Sequence, residues 1–235
     1  IKRSTQSHPL IKYYIGDNTI EYSNRLVEDE ERMGNRFIYK YDFSILTLPE
    51  NLYRKFLQRK KVSYDKMITA LEFYRKRLDA FLSNVNYYKY YDIYSIDSIN
   101  NIVIHKKFYL YSYMGVEVID LEVQDIVEIL QNIVNLLERY ENYNMYFMSP
   151  IHSNNMNFAN FYCVIKEKQA VLMESCDPFK KTPEVRLCIE EPTIIKAFEE
   201  YYREIIEQIP FIYKDKEEVI KWIKSQIVLF KTNYF

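Results

Sequence analysis

Glycine is scarce in this chain. Three glycines occur in 235 residues, Gly16, Gly34 and Gly115, whereas about 7% of residues is usual. Loops that cradle a phosphate need several closely spaced glycines, because these let backbone N–H groups approach the anion. No two of the three are near neighbours, so the sequence excludes a Walker loop, a dinucleotide-binding fingerprint and a Gly-x-Ser-x-Gly nucleophile elbow.

Cysteine and histidine are also few. The chain contains three of each: Cys163, Cys176, Cys188, His8, His105 and His152. No Cys-x-x-Cys pair occurs, and no two histidines share a helical i, i+4 face, so a metal site would have to gather ligands from remote segments. We expect reduced, buried thiols, no metal site and no cofactor.

Long apolar runs and an excess of positive charge are missing as well. No run reaches the roughly 18 residues that a membrane-spanning helix needs, and no basic-then-apolar leader opens the chain. The formal net charge is −1, from 32 Lys+Arg and 33 Asp+Glu, which is not the positive excess that binds phosphate backbones. A local basic run at residues 54–61 is typical of a solvated helix end. We expect a soluble cytoplasmic protein with no membrane partner.

Tyrosine is abundant, with 24 residues beside 14 Phe and one Trp. The chain is also rich in Ile, Asn and Lys, a combination that AT-rich coding produces without any functional cause. Because tyrosine joins an apolar ring to a hydroxyl group, the same residues can fill a core or line a pocket. Composition alone leaves both interpretations open.

Hydrophobic periodicity predicts a chain of mixed secondary structure. A period of two residues predicts a strand over Arg36–Leu46, and a period of 3.6 predicts helices over residues 64–83 and 121–140. Shorter patterns predict the other elements: helices at 22–32, 49–60, 97–102, 194–209 and 215–230, and strands at 107–114, 144–148, 158–166, 169–174 and 185–190.

This order of elements predicts an α/β fold of the α+β type. An N-terminal helical segment is followed by a mainly antiparallel sheet that helices flank. We divide the chain into a linker over residues 1–35, a strand plus helical subdomain over residues 36–105, and an α/β domain over residues 106–235.

The sequence predicts no catalytic residue. His105-Lys106-Lys107 matches the start of the His-x-Lys nucleophile motif of phospholipase D. However, Ser112 occupies the position of the aspartate that the motif requires, and no second His-x-Lys occurs. The remaining serines, cysteines and glutamates form no nucleophile or paired-carboxylate constellation.

A polar loop is the best candidate for a binding site. Residues 149–157 read Ser-Pro-Ile-His-Ser-Asn-Asn-Met-Asn and follow a predicted strand. Loops at strand ends commonly carry ligand contacts. We predict that His152, Asn154 and Asn155 bind the ligand.

Several segments together carry a family resemblance. They are Leu48–Leu52 before the Ser63 helix, the strands at 161–165, 170–174 and 185–187, Glu191–Tyr202, Ile209-Pro210 and Lys216–Ile220. They resemble the C-terminal sensor or effector domain of bacterial XRE-type transcriptional regulators, in which a Cro-like helix-turn-helix comes first. The order of elements is also similar to a degenerate phospholipase D-like fold, which some regulators use for ligand binding without catalysis.

The resemblance implies a function. The chain is expected to be a non-enzymatic sensor, effector-binding or oligomerisation domain that binds an unknown small molecule or peptide effector and forms a homodimer. The helix-turn-helix is not recognisable in this sequence, which begins with Ile1 rather than methionine, so DNA would be reached only through a module upstream. Two alternatives stay open: an enzyme with a dispersed active site, as a hydrolase or nuclease of phospholipase D-like descent, and a partner-binding scaffold of phage or mobile-element origin.

Overall fold

The structure, a computed structural model, describes residues 11–14, 19–40, 42–112, 115–148, 161–175 and 186–234. Within these residues the strands are β1 (Ile11–Tyr14), β2 (Arg36–Lys40), β3 (Tyr90–Ser95), β4 (Lys107–Ser112), β5 (Gly115–Asp120), β6 (Tyr143–Met148), β7 (Phe161–Lys166), β8 (Ala170–Ser175) and β9 (Arg186–Ile189). The helices are α1 (Thr19–Glu31), α2 (Glu50–Arg59), α3 (Tyr64–Val85), α4 (Ile96–Val103), α5 (Val123–Arg139), α6 (Pro192–Gln208) and α7 (Lys216–Tyr234). None of these helices combines the length and apolar character that crossing a bilayer requires.

Seven strands form one mixed sheet, in the order β1-β9-β8-β7-β2-β3-β6. Strand β2, next to the central strand β7, pairs in parallel with β3, which pairs in parallel with β6. The other neighbours in the sheet pair antiparallel, and β4 and β5 form a separate hairpin. The predicted α+β class, with a mainly antiparallel sheet flanked by helices, is therefore confirmed.

Alternation along β2 divides the core between the two faces of the sheet. Phe37 and Tyr39 pack on the face that α6 covers, where Phe37 meets the Tyr202 ring edge-on at 6.4 Å. Ile38 lies on the opposite face with the charged Arg36. The largest apolar cluster joins that second face of β3 and β6 to helices α2, α3, α5 and α7. Since both faces are covered, the central strands are buried on both sides.

Local capping explains where two of the helices begin. In α5, Glu122 and Asp125 form a reciprocal capping box, in which each side chain accepts from the other residue's backbone N–H. In α6, Pro192 occupies the first turn and the Glu191 carboxylate accepts from the backbone N–H of Ile194 at 2.8 Å. Both arrangements satisfy amide groups that a helix start leaves unpaired.

Four strands differ from the prediction: β2 is shorter than predicted, and β1, β3 and β5 were not predicted. The strand predicted over Arg36–Leu46 ends at Lys40. The chain forms a 3₁₀ turn at Ile45–Thr47 instead, and Phe43 and residues 45–48 are buried against the helices. Strand β3 was not predicted, since five of its six residues are buried and period-two alternation is absent. A strand covered on both faces loses the polar positions on which that signal depends.

The division of the chain into three segments stays a prediction. The seven-stranded sheet takes strands from all three: β1 from residues 1–35, β2 and β3 from residues 36–105, and the rest from residues 106–235. The helix predicted at 22–32 corresponds to α1, which packs mainly against α3.

Gly34 adopts a backbone conformation that side chains rarely tolerate. Its φ is +101°, and an added Cβ would lie 2.8 Å from the carbonyl oxygen of Glu167 in the β7–β8 turn. We expect Gly34→Ala to lower the free energy of unfolding by at least about 1 kcal/mol, because it adds both backbone strain and a contact with main chain. Urea unfolding measures this, with Ser83→Ala on the exposed side of α3 as the control; an equal effect of the two changes would contradict the expectation.

Candidate binding site at the carboxyl edge of the parallel strands

The carboxyl ends of the three parallel strands meet at one edge of the sheet. Lys40 of β2 pairs with Tyr94 of β3, and Ser95 of β3 pairs with Met148 of β6. In open sheets built on parallel strands, ligands bind outside this edge. We call it the carboxyl edge.

Three further strand ends lie at the carboxyl edge. Strand β7 runs antiparallel to β2, with Cys163 opposite Tyr39, so β7 begins at this edge with Phe161. Phe161 pairs with Ser175, where β8 ends, and Arg186 begins β9 opposite Glu174. Residues 149–160 and 176–185 are therefore each flanked on both sides by strand ends at the carboxyl edge.

The predicted ligand-binding residues His152, Asn154 and Asn155 lie outside the described residues. Their assignment as ligand-binding residues stays a prediction. The structure shows only where the flanking strands end, at Met148 and at Phe161. Among the described residues, His105 is an exposed residue of the turn after α4, and no group of three or more His, Cys, Asp and Glu side chains could hold a metal ion.

Polar side chains after β2 and β3 are held in fixed positions at this edge. Ser95 accepts from the backbone N–H of Asp97 at 3.2 Å and caps α4, while Ser98 Oγ donates to the Ser95 carbonyl at 2.7 Å. Asn101 Nδ2 donates to Asp42 Oδ1 at 3.2 Å, which ties α4 to the chain after β2. These hydrogen bonds hold the start of α4 and the chain after β2 in fixed positions relative to each other.

The basic run at residues 54–61 is paired with carboxylates. Lys55 Nζ lies 2.8 Å from Asp125 Oδ1, and Arg59 bonds the same carboxylate from its other side. Glu122 contacts both cations as well. The hydrogen bond that Lys55 donates to Asp125 raises the pKa of Lys55 above its ordinary value. Lys55 and Arg59 are therefore engaged with carboxylates of the same fold.

The most unusual feature is a cluster of buried charges between the sheet and helices α1 and α3. We call Glu30, Arg36, Arg77, Asp92 and Lys166 the Arg36 network. All five are at most 7% exposed. The Arg36 guanidinium donates to Asp92 at 2.9 and 3.1 Å and to Glu30, and it stacks 4.0 Å from the centre of the Tyr90 ring.

Lys166 joins the network from β7. Its Nζ donates to the Tyr90 hydroxyl at 2.7 Å and to the backbone carbonyl of Glu30 at 3.3 Å. Tyr143 Oη donates to Asp92 Oδ2 at 3.1 Å, and Asn84 Nδ2 donates to the Glu30 carbonyl at 2.7 Å. The network therefore ties α1 and α3 to strands β2, β3, β6 and β7.

Burial and neighbouring charges act against each other in this network. Burial alone would raise the pKa of Glu30, but Arg36 and Lys166 hold it below its ordinary value. Burial opposes the charge of Arg36, yet Asp92 and Glu30 raise its pKa well above its ordinary value. For Lys166 burial prevails and lowers the pKa to about 7, because Glu30 compensates only in part for the lost hydration. Burial and Asp92 together raise the pKa of Tyr143.

Sequence analysis missed this network. One signal was available. Arg36 and Lys166 stand at the ends of strands with apolar interiors, and Asp92 interrupts a run of aromatic and aliphatic residues. A charge inside a buried strand needs a partner. The partners could not be named, because Arg36 and Asp92 are 56 residues apart in sequence.

Comparison with known proteins gives no family. No protein-family model and no curated protein sequence matches the chain. Among solved structures, the chain is similar to NucT from Helicobacter pylori, with a TM-score of 0.47 and 15% identity over 85% of this chain and 96% of that one.

A second solved structure is TrmBL2, an archaeal chromatin protein described with a novel mode of DNA binding. It gives a TM-score of 0.42 and 10% identity over 85% of this chain, which spans about half of TrmBL2, 54% of its length. Both TM-scores are below 0.5, so neither likeness supports an inference about the activity of this chain.

Proposed function

We propose that this chain is a non-enzymatic effector-binding domain of a bacterial transcriptional regulator, and that His152, Asn154 and Asn155 bind the effector. One observation carries the proposal: both strand ends that flank these residues, Met148 and Phe161, lie at the carboxyl edge. Ligands of open sheets with parallel strands bind at such an edge. The position of the two flanking strand ends supports a ligand site in the polar segment between them.

The three side chains favour a polar effector. An imidazole and two carboxamides offer hydrogen-bond donors and acceptors but no permanent charge. They suit a polar small molecule or the backbone of a short peptide. Buried phosphate recognition, by contrast, generally uses arginine, lysine or a glycine-rich loop.

DNA would be reached through a separate helix-turn-helix module, as the resemblance to XRE-type regulators implies. The pairing of Lys55 and Arg59 with Asp125 supports this view, because those cations are engaged within the fold. A homodimer of this domain would present two such modules at the spacing of two half-sites. An effector that binds one arrangement of the dimer better than the other shifts the population between them.

A thermal-shift screen tests the effector site. We expect at least one compound in a panel of nucleosides, amino acids, sugars and short peptides to raise the melting temperature of the chain by about 2–4 °C at saturating concentration, because a ligand that binds only the folded state stabilises it. His152→Ala/Asn154→Ala/Asn155→Ala should abolish the shift. His105→Ala, at an exposed histidine in the turn after α4, is the matched control and should keep it.

Two results would argue against the proposal. A compound that shifts the triple variant as much as the wild type binds elsewhere. The chain could also hydrolyse bis(p-nitrophenyl) phosphate or a fluorescent single-stranded DNA. If that activity is lost in His152→Ala and kept in His105→Ala, the result favours the hydrolase or nuclease alternative over effector binding.

A further inference from the structure

Helix α1 has little tendency to form on its own. More than half of its 13 residues are Thr, Ile, Tyr, Ser, Asn, Val or Asp, which are weaker helix formers than Ala, Leu, Lys or Glu. Its last four residues, 28–31, are all carboxylates, and no basic residue stands in its last turn. Arg32, the next residue, lies 3.5 Å from Asp29 and offsets one of them. The carboxyl end of a helix carries partial negative charge, so the others destabilise α1, and isolated helices of this length are marginal in water.

Few apolar contacts hold α1 on the protein. Among its described side chains, Val27 is the only apolar one that is buried, together with the polar Ser23 and Glu30. Helix α5, by contrast, buries seven apolar side chains. A small cavity remains under α1, with Leu26 and Glu30 of the helix and Val164 of β7 in its lining. Hydrophobic burial therefore contributes less to the docking of α1 than to that of α5.

Partners from two other elements hold the C-terminal end of α1. The backbone carbonyl of Glu30 accepts from Asn84 of α3 at 2.7 Å and from Lys166 of β7 at 3.3 Å. Asn84 also donates to the carbonyl of Arg32 at 3.3 Å. The last carbonyls of a helix have no acceptor role inside the helix and need such partners. Helix α1 has these contacts only while it lies against α3 and β7.

The Glu30 side chain anchors the same end of the helix in the protein interior. Its carboxylate accepts from Arg36 of β2, and its second oxygen lies 3.8 Å from a terminal nitrogen of Arg77 of α3. Both arginines are at most 7% exposed. Without the Glu30 charge, the docked helix would cover Arg77 without compensating it, which is costly in the interior. Opening of α1 relieves that cost, because it lets water reach the arginine.

We propose that α1 is a releasable helix, which opens as a unit while the rest of the fold stays formed, and that the contacts of Glu30 control its release. Formation and docking of α1 are one event, because the contacts that stabilise its C-terminal end exist only in the docked state. Opening uncovers the face of α3 that carries Arg77 and Asn84. Arg36 begins β2 and pairs with Lys166 at the end of β7, at the opposite end of these strands from the carboxyl edge. This proposal and the proposed effector site can therefore fail independently.

Native-state hydrogen exchange of the full chain tests whether α1 opens by itself. We expect the amides of α1 to exchange at least about tenfold faster than the slowest amides of β3 and β6, because local opening needs less free energy than global unfolding. Ile133→Val, at a fully buried residue of α5, lowers the stability of the core without touching α1. It should speed the exchange of β3 and β6 by about 2- to 10-fold and leave the exchange of α1 unchanged.

A matched pair of variants in the last turn of α1 tests the role of Glu30. Glu30→Gln keeps the shape of the side chain but removes its charge, and should speed the exchange of α1 by about tenfold or more. Glu31→Gln, at an exposed residue, removes a charge from the same negative helix end and should leave the exchange of α1 equal or slower. Should Glu30→Gln fail to fold, Asn84→Ala removes the hydrogen bonds to the α1 carbonyls and should also speed the exchange of α1.

Three outcomes would overturn the proposal. Wild-type α1 amides that exchange as slowly as those of β3 and β6 would mean that the helix opens only when the whole chain unfolds. The same conclusion follows if Ile133→Val speeds the exchange of α1 and of β3 by the same factor. Equal effects of Glu30→Gln and Glu31→Gln on α1, or no effect of Asn84→Ala where Glu30→Gln does not fold, would show that the buried contacts of this helix end do not control its release.

Discussion

Arg36→Met is expected to lower the free energy of unfolding by about 3–5 kcal/mol. The change removes the partner of two buried carboxylates, Glu30 and Asp92, which are at most 5% exposed. Removing one member of a buried ion pair is this costly because it leaves uncompensated charge in the protein interior. Equilibrium urea unfolding, followed by circular dichroism, measures the loss.

Two further variants separate the buried charge from the loss of an arginine. Arg75→Met removes an exposed arginine that bonds Glu50, and its unfolding midpoint should stay close to the wild-type value. The triple change Arg36→Met/Glu30→Gln/Asp92→Asn removes the charges together and should recover part of the stability. Equal losses of unfolding free energy for Arg36→Met and Arg75→Met would show that the buried network stabilises the fold no more than an exposed ion pair does.

The free energy of unfolding is expected to rise between about pH 7 and pH 10. Lys166 has a pKa of about 7 in the folded chain and an ordinary value of 10.5. Between these two values the unfolded state binds more protons, so stability increases with pH, by at most about 1.4 kcal/mol per pH unit for each such lysine. This stability is fully present above the ordinary pKa and is lost as the pH falls through the folded value. Above about pH 10 the raised pKa of Tyr143 acts in the opposite direction.

Lys166→Met should flatten this pH dependence. Urea unfolding at several pH values between 7 and 10 gives the slope, which we expect to fall by roughly half, because Lys40 has a similarly lowered pKa and remains. Lys224→Met changes an exposed lysine of α7 that pairs with Glu138 and should leave the slope unchanged. An unchanged slope in Lys166→Met would contradict the assignment of the titration to this residue.

Amphipathic helices and the β7–β8 hairpin could be predicted from the sequence. Apolar residues at helical spacing define α3 and α5, and their ends agree with the structure within a few residues. The turn of the hairpin, residues 167–169, is polar and separates two runs of strand-forming residues. These signals are local, so one stretch of sequence contains all of the information.

Long-range arrangements could not be predicted. The parallel pairing of β2, β3 and β6 joins segments that are separated by helices, and β3 has no alternation because both of its faces are covered. The Arg36 network depends on that pairing, since the register alone places Arg36 close enough to Asp92 to bond it. For the proposed effector site, sequence analysis supplied the polar residues, and the strand order supplied the edge at which the flanking strands β6 and β7 end and begin.

Native mass spectrometry of the purified chain tests the effector-binding proposal most directly. We predict a non-covalent adduct on the wild-type chain, at 28.7 kDa or at twice that mass for the proposed homodimer. The adduct should persist in His105→Ala and be absent from His152→Ala/Asn154→Ala/Asn155→Ala. A wild-type chain that carries no adduct, or an adduct that the triple variant retains in full, would contradict effector binding by these residues.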